Sequence, residues 1–485
     1  MKRPNILLIM ADQFRGDCLG VNGHPDVKTP YLDALAMNGV NFTKAYTACP
    51  SCVPARAALF TGMGQKNHKR VSYDDAVPWE YPNLLAGELS KVGYYTQAVG
   101  KMHVYPVRNN CGFHNVELHD GYMHYIRNPN VPYYEHQQIA DDYFYWLKDK
   151  KGLLADLTDG GLECNSWLSR PWQYEEELHP TNWVASRSVD FLRRRDRSKP
   201  FFLFASFVRP HSPFDAPQHY FDMYNNMQLS QSPVGEWAEE NNEYRTAGNT
   251  HNSMYMSTDT ELARQSKVGY YACITHLDHQ IGRLWQAIVD DGELRNTFII
   301  FVSDHGEMMG DHHMFRKSVP YEGSARIPFI IQPHAGFDFA GAGSNRGTVV
   351  DEIVELRDVM PTLLDIAQAE IPESVDGISL LDIMRRTEGA TREYIHGEHE
   401  LGERSNHYIV TKRDKYIWYS QTGLEQYFDL ESDPSELLNK TGDINCKDRI
   451  EKMRGWLIDE LTGREEGFIV GGELASGKKY NYVWK

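Results

Sequence analysis

Residues 5–13 read Asn5-Ile6-Leu7-Leu8-Ile9-Met10-Ala11-Asp12-Gln13. An unbroken apolar run, Leu- and Ile-rich and closed by a carboxylate, reads as a strand buried on both faces of a parallel sheet. Met1-Lys2-Arg3 ahead of it gives the outline of a secretory leader. The apolar part is short for one, however, no small-residue cleavage site follows, and Asp12 interrupts at once. The strand reading wins.

The same texture returns at Tyr94–Val99, Phe201–Val208, Thr297–Val302 and Arg326–Gln332. Amphipathic segments separate these runs: Tyr31–Asn38 stopped by Gly39, Leu84–Val92 stopped by Gly93, then Asn182–Arg195 and Glu261–Asp290. Asp358–Ala369 adds another, with Asp358 as candidate N-cap and Pro361 in its first turn. Strands alternating with helices predict an α/β fold, a large and mostly parallel sheet flanked by helices. From about Thr391 the texture shifts to short segments, His407–Thr411, Tyr416–Tyr419 and Gln426–Asp429, followed by a helix at Asp448–Leu461. That is the pattern of a smaller α+β subdomain with an antiparallel sheet. The boundary falls near 385, dividing a catalytic unit, 1–385, from a carboxy-terminal one, 386–485. Gly112–His179 and Ser230–Thr260 carry little periodicity and read as long insertions that wall a site or lie on the surface.

Composition bounds the function. Across 485 residues, 50 Lys and Arg against 67 Asp and Glu leave a formal charge of −17. That balance excludes nonspecific nucleic-acid binding, which rests on cations neutralising phosphates, yet leaves room for a local cationic pocket. No apolar stretch approaches the ~20 residues of a membrane helix, so no membrane partner is expected. The sequence as it stands reads as cytoplasmic, or as periplasmic or secreted where a leader has been removed. Seven cysteines are too few for a disulfide scaffold. Oligomeric state is unreadable.

Cys52-Val53-Pro54-Ala55-Arg56 carries the chemistry. Pro54 fits the first turn of a helix, which puts Cys52 at a helix N-terminus, where the dipole and free N–H groups favour an anion. Arg56, one turn on, can offer its fork to a tetrahedral oxyanion. A buried structural cysteine is the bland alternative on this pattern alone. Cys49 makes a Cys-x-x-Cys spacing with Cys52, but no second cysteine pair exists to complete a zinc site.

With Ala57-Ala58-Leu59-Phe60-Thr61-Gly62 following, this segment resembles the signature of the sulfatase family, within the alkaline-phosphatase-like superfamily. The resemblance implies that Cys52 is oxidised to formylglycine by a maturation enzyme, and that the aldehyde hydrates to a geminal diol. Ala55 stands where many members carry Ser, a variation the anaerobic kind of maturation machinery tolerates. Further motifs match. Asp12 ends the first strand as a metal ligand, with Gln13 in place of a second carboxylate and able to bind through its amide oxygen. Ser303-Asp304-His305-Gly306-Glu307 follows the strand Thr297–Val302, with Asp304 and His305 as ligands and Gly306 allowing a sharp turn. Gly100-Lys101-Met102-His103, Pro210-His211-Ser212-Pro213-Phe214 and Lys317 before Tyr321-Glu322-Gly323 supply the groups expected to touch sulfate. Glu425–Leu430 and Asp433-Pro434-Ser435-Glu436 resemble the family's carboxy-terminal segment, so the likeness runs from residue 4 to about 440.

What this implies is one divalent metal, Ca²⁺ foremost, with Mg²⁺, Mn²⁺ or Zn²⁺ as alternatives, held by Asp12, Gln13, the modified Cys52, Asp304 and His305. A diol hydroxyl attacks sulfur, Asp304 receives its proton, and Lys101, His211, Lys317 and Arg56 compensate the sulfate charge. His211 or Lys317 protonates the leaving oxygen, His211 foremost because its ordinary pKa lies nearer neutrality, and His103 takes the proton from the second hydroxyl so that inorganic sulfate leaves. The substrate is a small sulfate ester, an aryl sulfate or a sulfated sugar, with 109–124, 128–136 and 397–407 as candidate pocket walls. A phosphonate monoester or phosphodiester hydrolase is the nearest rival: those relatives also begin with Asp-Gln but carry Tyr and Thr where Lys101 and His103 stand. An inactive sulfated-glycan binder would lack an essential group, and none is missing. A thiol oxidoreductase using Cys49 and Cys52 leaves Pro54 and Arg56 unexplained.

Overall fold

The computed structural model describes residues 3–121, 141–240, 251–257, 260–339, 347–385, 389 and 391–481. β1 (Asn5–Asp12) is buried at every position, and its side chains enter two different cores. Leu7, Ile9 and Ala11 pack against the helices Pro30–Met37, Pro180–Arg194 and Glu261–Asp290. Ile6, Leu8 and Met10 pack against Cys52–Thr61, Leu85–Lys91 and Val359–Ile366. Side chains alternate across a strand, so one covered on both faces must be apolar throughout. β5 (Phe201–Pro210) repeats the arrangement, with Leu203, Ala205 and Phe207 opposed to Phe202 and Phe204.

The remaining strands of this sheet are β2 (Val40–Tyr46), β3 (Tyr95–Gly100), β4 (Asn115–Leu118), β6 (Thr297–Ser303), β7 (Phe329–Gln332) and β8 (Thr348–Glu355). The eight run in the order β4-β3-β5-β1-β6-β7-β2-β8. β7 alone opposes its neighbours; the other adjacent pairs are parallel. The sheet is therefore mostly parallel, as the sequence implies.

β2, β4 and β8 escape the sequence reading for physical reasons. β2 shifts register between Phe42 and Lys44, which breaks its alternation. β8 and the four-residue β4 are the edge strands, and β8 carries Asp351 and Glu352 partly in water, the charged edge that guards against pairing with another chain. Asp358 is not the expected cap. It already has helical backbone angles, at the end of a 3₁₀ turn over Leu356–Asp358. Its carboxylate instead accepts from the N–H groups of Glu355 (2.8 Å) and Ile378 (2.9 Å) and from Arg392.

β9 (Ile395–His399), β10 (Asn406–Val410), β11 (Asp414–Tyr419) and β12 (Glu425–Asp429) form an antiparallel sheet. One face, with Ile409, Tyr416 and Trp418, packs on the helix Lys447–Leu461 through Ile450, Met453 and Leu457. The other, with Ile395, Tyr408 and Val410, packs on Met308, Met314, Val319 and Tyr321. The second sheet thus lies against the loop that carries Lys317. The insertion after residue 112 contributes β4 and the helix Asp142–Lys151; the expected pocket wall at 128–136 lies outside the described residues. Among the described residues, no helix is long and apolar enough to cross a membrane.

Candidate active site

β3, β5, β1 and β6 are adjacent and parallel, so their carboxyl ends share one edge, about 14 Å across at three strand spacings. Asp12 ends β1, Lys101 follows β3, His211 follows β5, and Asp304 and His305 follow β6. Open α/β sheets hold ligands at this edge. Cys52 begins the helix Cys52–Thr61; Ser51 gives no side-chain cap, which leaves the first N–H groups free to face an anion.

Two glycines permit the approach of these loops. A Cβ on Gly306 would lie 2.1 Å from the carbonyl oxygen of Gly323, so the loop ends that carry His305 and Lys317 can meet only across a bare backbone. Gly100 has φ +100° and would put a Cβ 1.9 Å from Ser206 O. Gly306, read from sequence as a turn former, acts through close approach.

Four donors converge. His305 Nε2 lies 3.3 Å from Cys52 Sγ, 3.5 Å from Asp12 Oδ1 and 3.7 Å from Asp304 Oδ1. Cys52 Sγ is 3.9 Å from Asp12 Oδ1, and one ligand atom of each residue falls within 4.8 Å of all the others. His305 Nδ1 donates to Gly306 O (3.0 Å), which fixes the tautomer and aims the Nε2 lone pair at the group. Two carboxylates, an imidazole and residue 52, all buried, fit a divalent cation. The other such group among the described residues, His396, Glu398 and His407, is closed: Arg464 Nη1 donates to both Glu398 oxygens (3.0 and 2.9 Å), and Tyr480 donates to one of them.

Electrostatics set the donors' charge. Burial and Asp12 push the Cys52 thiol up, but Lys101, Lys317 and His305 outweigh them and hold it well below the ordinary thiol range. Burial alone pushes Cys49 well above it, with Glu398 adding to the effect. All seven cysteines are free, and the contrast marks Cys52 as the reactive one. Burial raises Asp12, yet Lys101, His211 and His305 bring it well below the carboxylate range. Burial and the neighbouring Asp12 raise Asp304. Lys101 donates to Asp12 Oδ2, and that carboxylate holds its ammonium charged against burial.

Three residues have partners that the sequence does not foretell. Arg56 reaches Asp304 and the backbone of Lys101. Its Nε and Nη2 each lie 3.2 Å from Asp304 Oδ2, and Nη1 donates to Lys101 O (2.7 Å) and Ser206 Oγ (3.0 Å). A fully buried guanidinium needs such partners, so Arg56 braces Asp304 and the Lys101 backbone. Gln13 turns its amide oxygen to Lys317 Nζ (2.6 Å) and donates its amide to Glu307. His211 receives Lys317 Nζ at Nε2 (2.7 Å) while Nδ1 donates to Ser212 O (2.8 Å). Burial, then the Lys317 charge, hold its pKa well below the usual imidazole value. With Nδ1 donating and Nε2 accepting, His211 offers no free proton in this arrangement, and Lys317 is the donor of the pair.

His103 is buried with φ +57°, its N–H donating to Asp120 Oδ1 (3.0 Å), and its Nε2 lies 3.3 Å from Asp75 Oδ1. The backbone N–H of Met102 donates to the same Asp120 oxygen (2.8 Å), so Asp120 shapes the turn that carries Lys101. Glu307 plays the matching part opposite, accepting from Met309 N (2.9 Å) and Arg316 N as well as Gln13. Sequence reading gives Asp120, Glu307 and Ser206 no role. Ser206 had a signal, a hydroxyl inside an otherwise apolar strand.

Comparison with known proteins agrees with this geometry. Residues 4–369 match the family described as Sulfatase, and residues 310–462 match that described as N-sulphoglucosamine sulphohydrolase, C-terminal. An arylsulfatase of Clostridium perfringens (strain 13 / Type A) is 54% identical over 475 residues, 98% of each chain. A choline-sulfatase of Rhizobium meliloti (strain 1021) is 30% identical, over 90% of this chain and 82% of the other. The crystal structure of a phosphonate monoester hydrolase of Agrobacterium radiobacter superposes with a TM-score of 0.76 at 26% identity, covering 94% of this chain and 95% of that one. The chain belongs to the sulfatase family.

Proposed function

We propose that the enzyme hydrolyses small sulfate esters to an alcohol and inorganic sulfate at residue 52, once Cys52 has been converted to formylglycine by a maturation enzyme. One observation carries this: a cysteine at a helix N-terminus, 3.3 Å from His305 Nε2 and 3.9 Å from Asp12 Oδ1, under the positive field of Lys101 and Lys317. As a hydrated aldehyde, residue 52 supplies one hydroxyl to attack sulfur and a second whose deprotonation expels sulfate. A divalent cation held by Asp12, residue 52, Asp304 and His305 would lower a hydroxyl pKa and polarise a sulfate oxygen, the carboxylates favouring Ca²⁺ or Mg²⁺.

The chain's own residues do the rest. Arg56 and the N–H groups of Gln13 and His305 hold the Asp304 carboxylate in place (N–H to Oδ1, 3.0 Å each). Lys101 and Lys317 place two positive charges where the ester's sulfate must sit. Lys317 has the proton to give to the leaving oxygen, since the neutral His211 beside it can only accept at Nε2. His103, with Asp75 at 3.3 Å, is the base for the second hydroxyl.

The 54% identical relative is named an arylsulfatase, which makes an aryl sulfate the first ester to assay. The structural likeness to a phosphonate monoester hydrolase supports a second reading, hydrolysis of phosphonate monoesters or phosphodiesters. Lys101 and His103, standing where the phosphonate hydrolases carry Tyr and Thr, favour sulfate. Turnover of 4-nitrophenyl sulfate and of a 4-nitrophenyl phosphonate by matured enzyme tests this. A higher kcat/KM for the sulfate, lost in Cys52→Ala, is expected; a preference for the phosphonate refutes it.

A further inference from the structure

His399 closes β9, the strand of the second sheet that borders the catalytic unit. Its register sets where it points. Ile395 and Gly397 share its face by the two-residue alternation of a strand, and their partners across the pair are Val410 and Tyr408. Ile395, Tyr408 and Val410 all pack on the loop 308–321. His399 therefore faces the catalytic unit too.

The neighbouring backbone fixes its position along that face. His399 pairs with Asn406, whose amide donates to Ser318 O (3.3 Å), one residue past Lys317. Ser318 N in turn donates to Pro50 O (3.0 Å). On its other side, Glu398 N bonds Ala48 O (2.8 Å), Glu400 N bonds Val71 O (2.8 Å), and the Tyr408 hydroxyl donates to Thr47 O (2.7 Å). His399 thus sits where the segment leading into Cys52 meets the loop carrying Lys317.

The imidazole is 2% exposed. Neither ring nitrogen has a hydrogen-bond partner beyond a loose contact with the Glu400 backbone. A buried, unpartnered polar ring carries a desolvation penalty, relieved when a ligand supplies the bond. Burial, followed by the fields of His305 and Lys317, lowers its pKa to about 4. A neutral imidazole adds nothing to sulfate charge compensation, and Lys101 and Lys317 already supply that. In the proposed mechanism Lys317 protonates the leaving oxygen, and that oxygen belongs to the alcohol half of the ester.

We propose that His399 is a specificity-determining residue that hydrogen-bonds the alcohol half of the sulfate ester from the second sheet. This rests on the sulfatase reading, and its test separates the two. Binding is measured by calorimetry in the Cys52→Ala protein, where no turnover occurs, with 4-nitrophenyl sulfate, N-acetylglucosamine 6-sulfate and inorganic sulfate as probes. Adding His399→Ala should weaken binding of at least one ester about tenfold while sulfate binding stays within about threefold, the scale of one neutral hydrogen bond. His399→Gln, which keeps a donor and an acceptor, should recover part of the loss. In matured enzyme the same substitution should raise KM for that ester more than it lowers kcat. Unchanged ester affinity, equal losses for ester and free sulfate, or no ester binding by the folded parent protein would each overturn the proposal. Ester binding that depends on His399, with no sulfate release from any ester by wild-type enzyme, would leave this proposal standing and remove the sulfatase reading.

Discussion

Lys317 Nζ stands 2.7 Å from His211 Nε2, with the other imidazole nitrogen donating to Ser212 O. Lys317 is the donor of the pair and His211 Nε2 the acceptor. Lys317→Ala should lower kcat/KM by about 10²-fold or more, the scale of general-acid catalysis. The loss should be larger for an alkyl sulfate, whose leaving oxygen needs the proton, than for 4-nitrophenyl sulfate. Removing the lysine charge should also raise the His211 pKa, because that charge, together with burial, depresses it; NMR titration of the ring reads the sign.

Arg56 and Asp304 make a second pairing, buried to complete exclusion of water. Arg56→Met should destabilise the fold by about 3–5 kcal/mol, because it leaves buried carboxylates without their partner. Thermal unfolding would show the lowered Tm, and bound cation should recover part of it by offsetting the same negative charge. Loss of activity with unchanged Tm would instead assign Arg56 to the substrate.

Chelation tests the donor cluster. EDTA should abolish turnover, Ca²⁺ should restore it, and His305→Ala should weaken cation affinity at least about tenfold, measured by calorimetry. Full activity after exhaustive chelation would contradict the cluster's assignment.

The loop that carries His211 is braced by Arg209, whose Nε and Nη2 donate to the two Asp215 oxygens (2.6 and 2.7 Å). Burial raises Asp215, but Arg209 outweighs it and lowers the carboxyl to about 2 from an ordinary 3.8. A depressed folded pKa stabilises above the unfolded value, and the contribution is lost as pH falls. About 2 kcal/mol should therefore be present above pH ~4 and vanish towards pH ~2. Urea unfolding of wild type and Asp215→Asn at pH 5 and pH 3 should show the difference between them shrinking at the lower pH.

What the sequence made legible follows from burial. β1, β5 and β6 are covered on both faces, so they read as unbroken apolar runs, and the polar residue after each stands out as a ligand candidate. β2 hides behind a register shift and β8 behind its edge carboxylates. Site residues were visible one at a time; their partnerships were not. Lys317 and His211 lie 106 positions apart and Arg56 and Asp304 lie 248 apart. No local pattern encodes which donor meets which acceptor, so the pairings of Arg56 with Asp304 and of Lys317 with His211 emerge only from the folded chain. His399 lies within 397–407, a stretch the sequence marks as a candidate pocket wall, but what singles it out there is its packing near a loop about 80 residues earlier.

The central claim concerns the side chain at position 52. The direct measurement is the mass of the peptide spanning residues 52–56, taken alongside sulfate release across preparations of differing specific activity. Formylglycine replaces the thiol of Cys52 with an aldehyde, and its share of the peptide should rise in proportion to activity. Full activity in protein whose residue 52 is entirely cysteine would contradict the account.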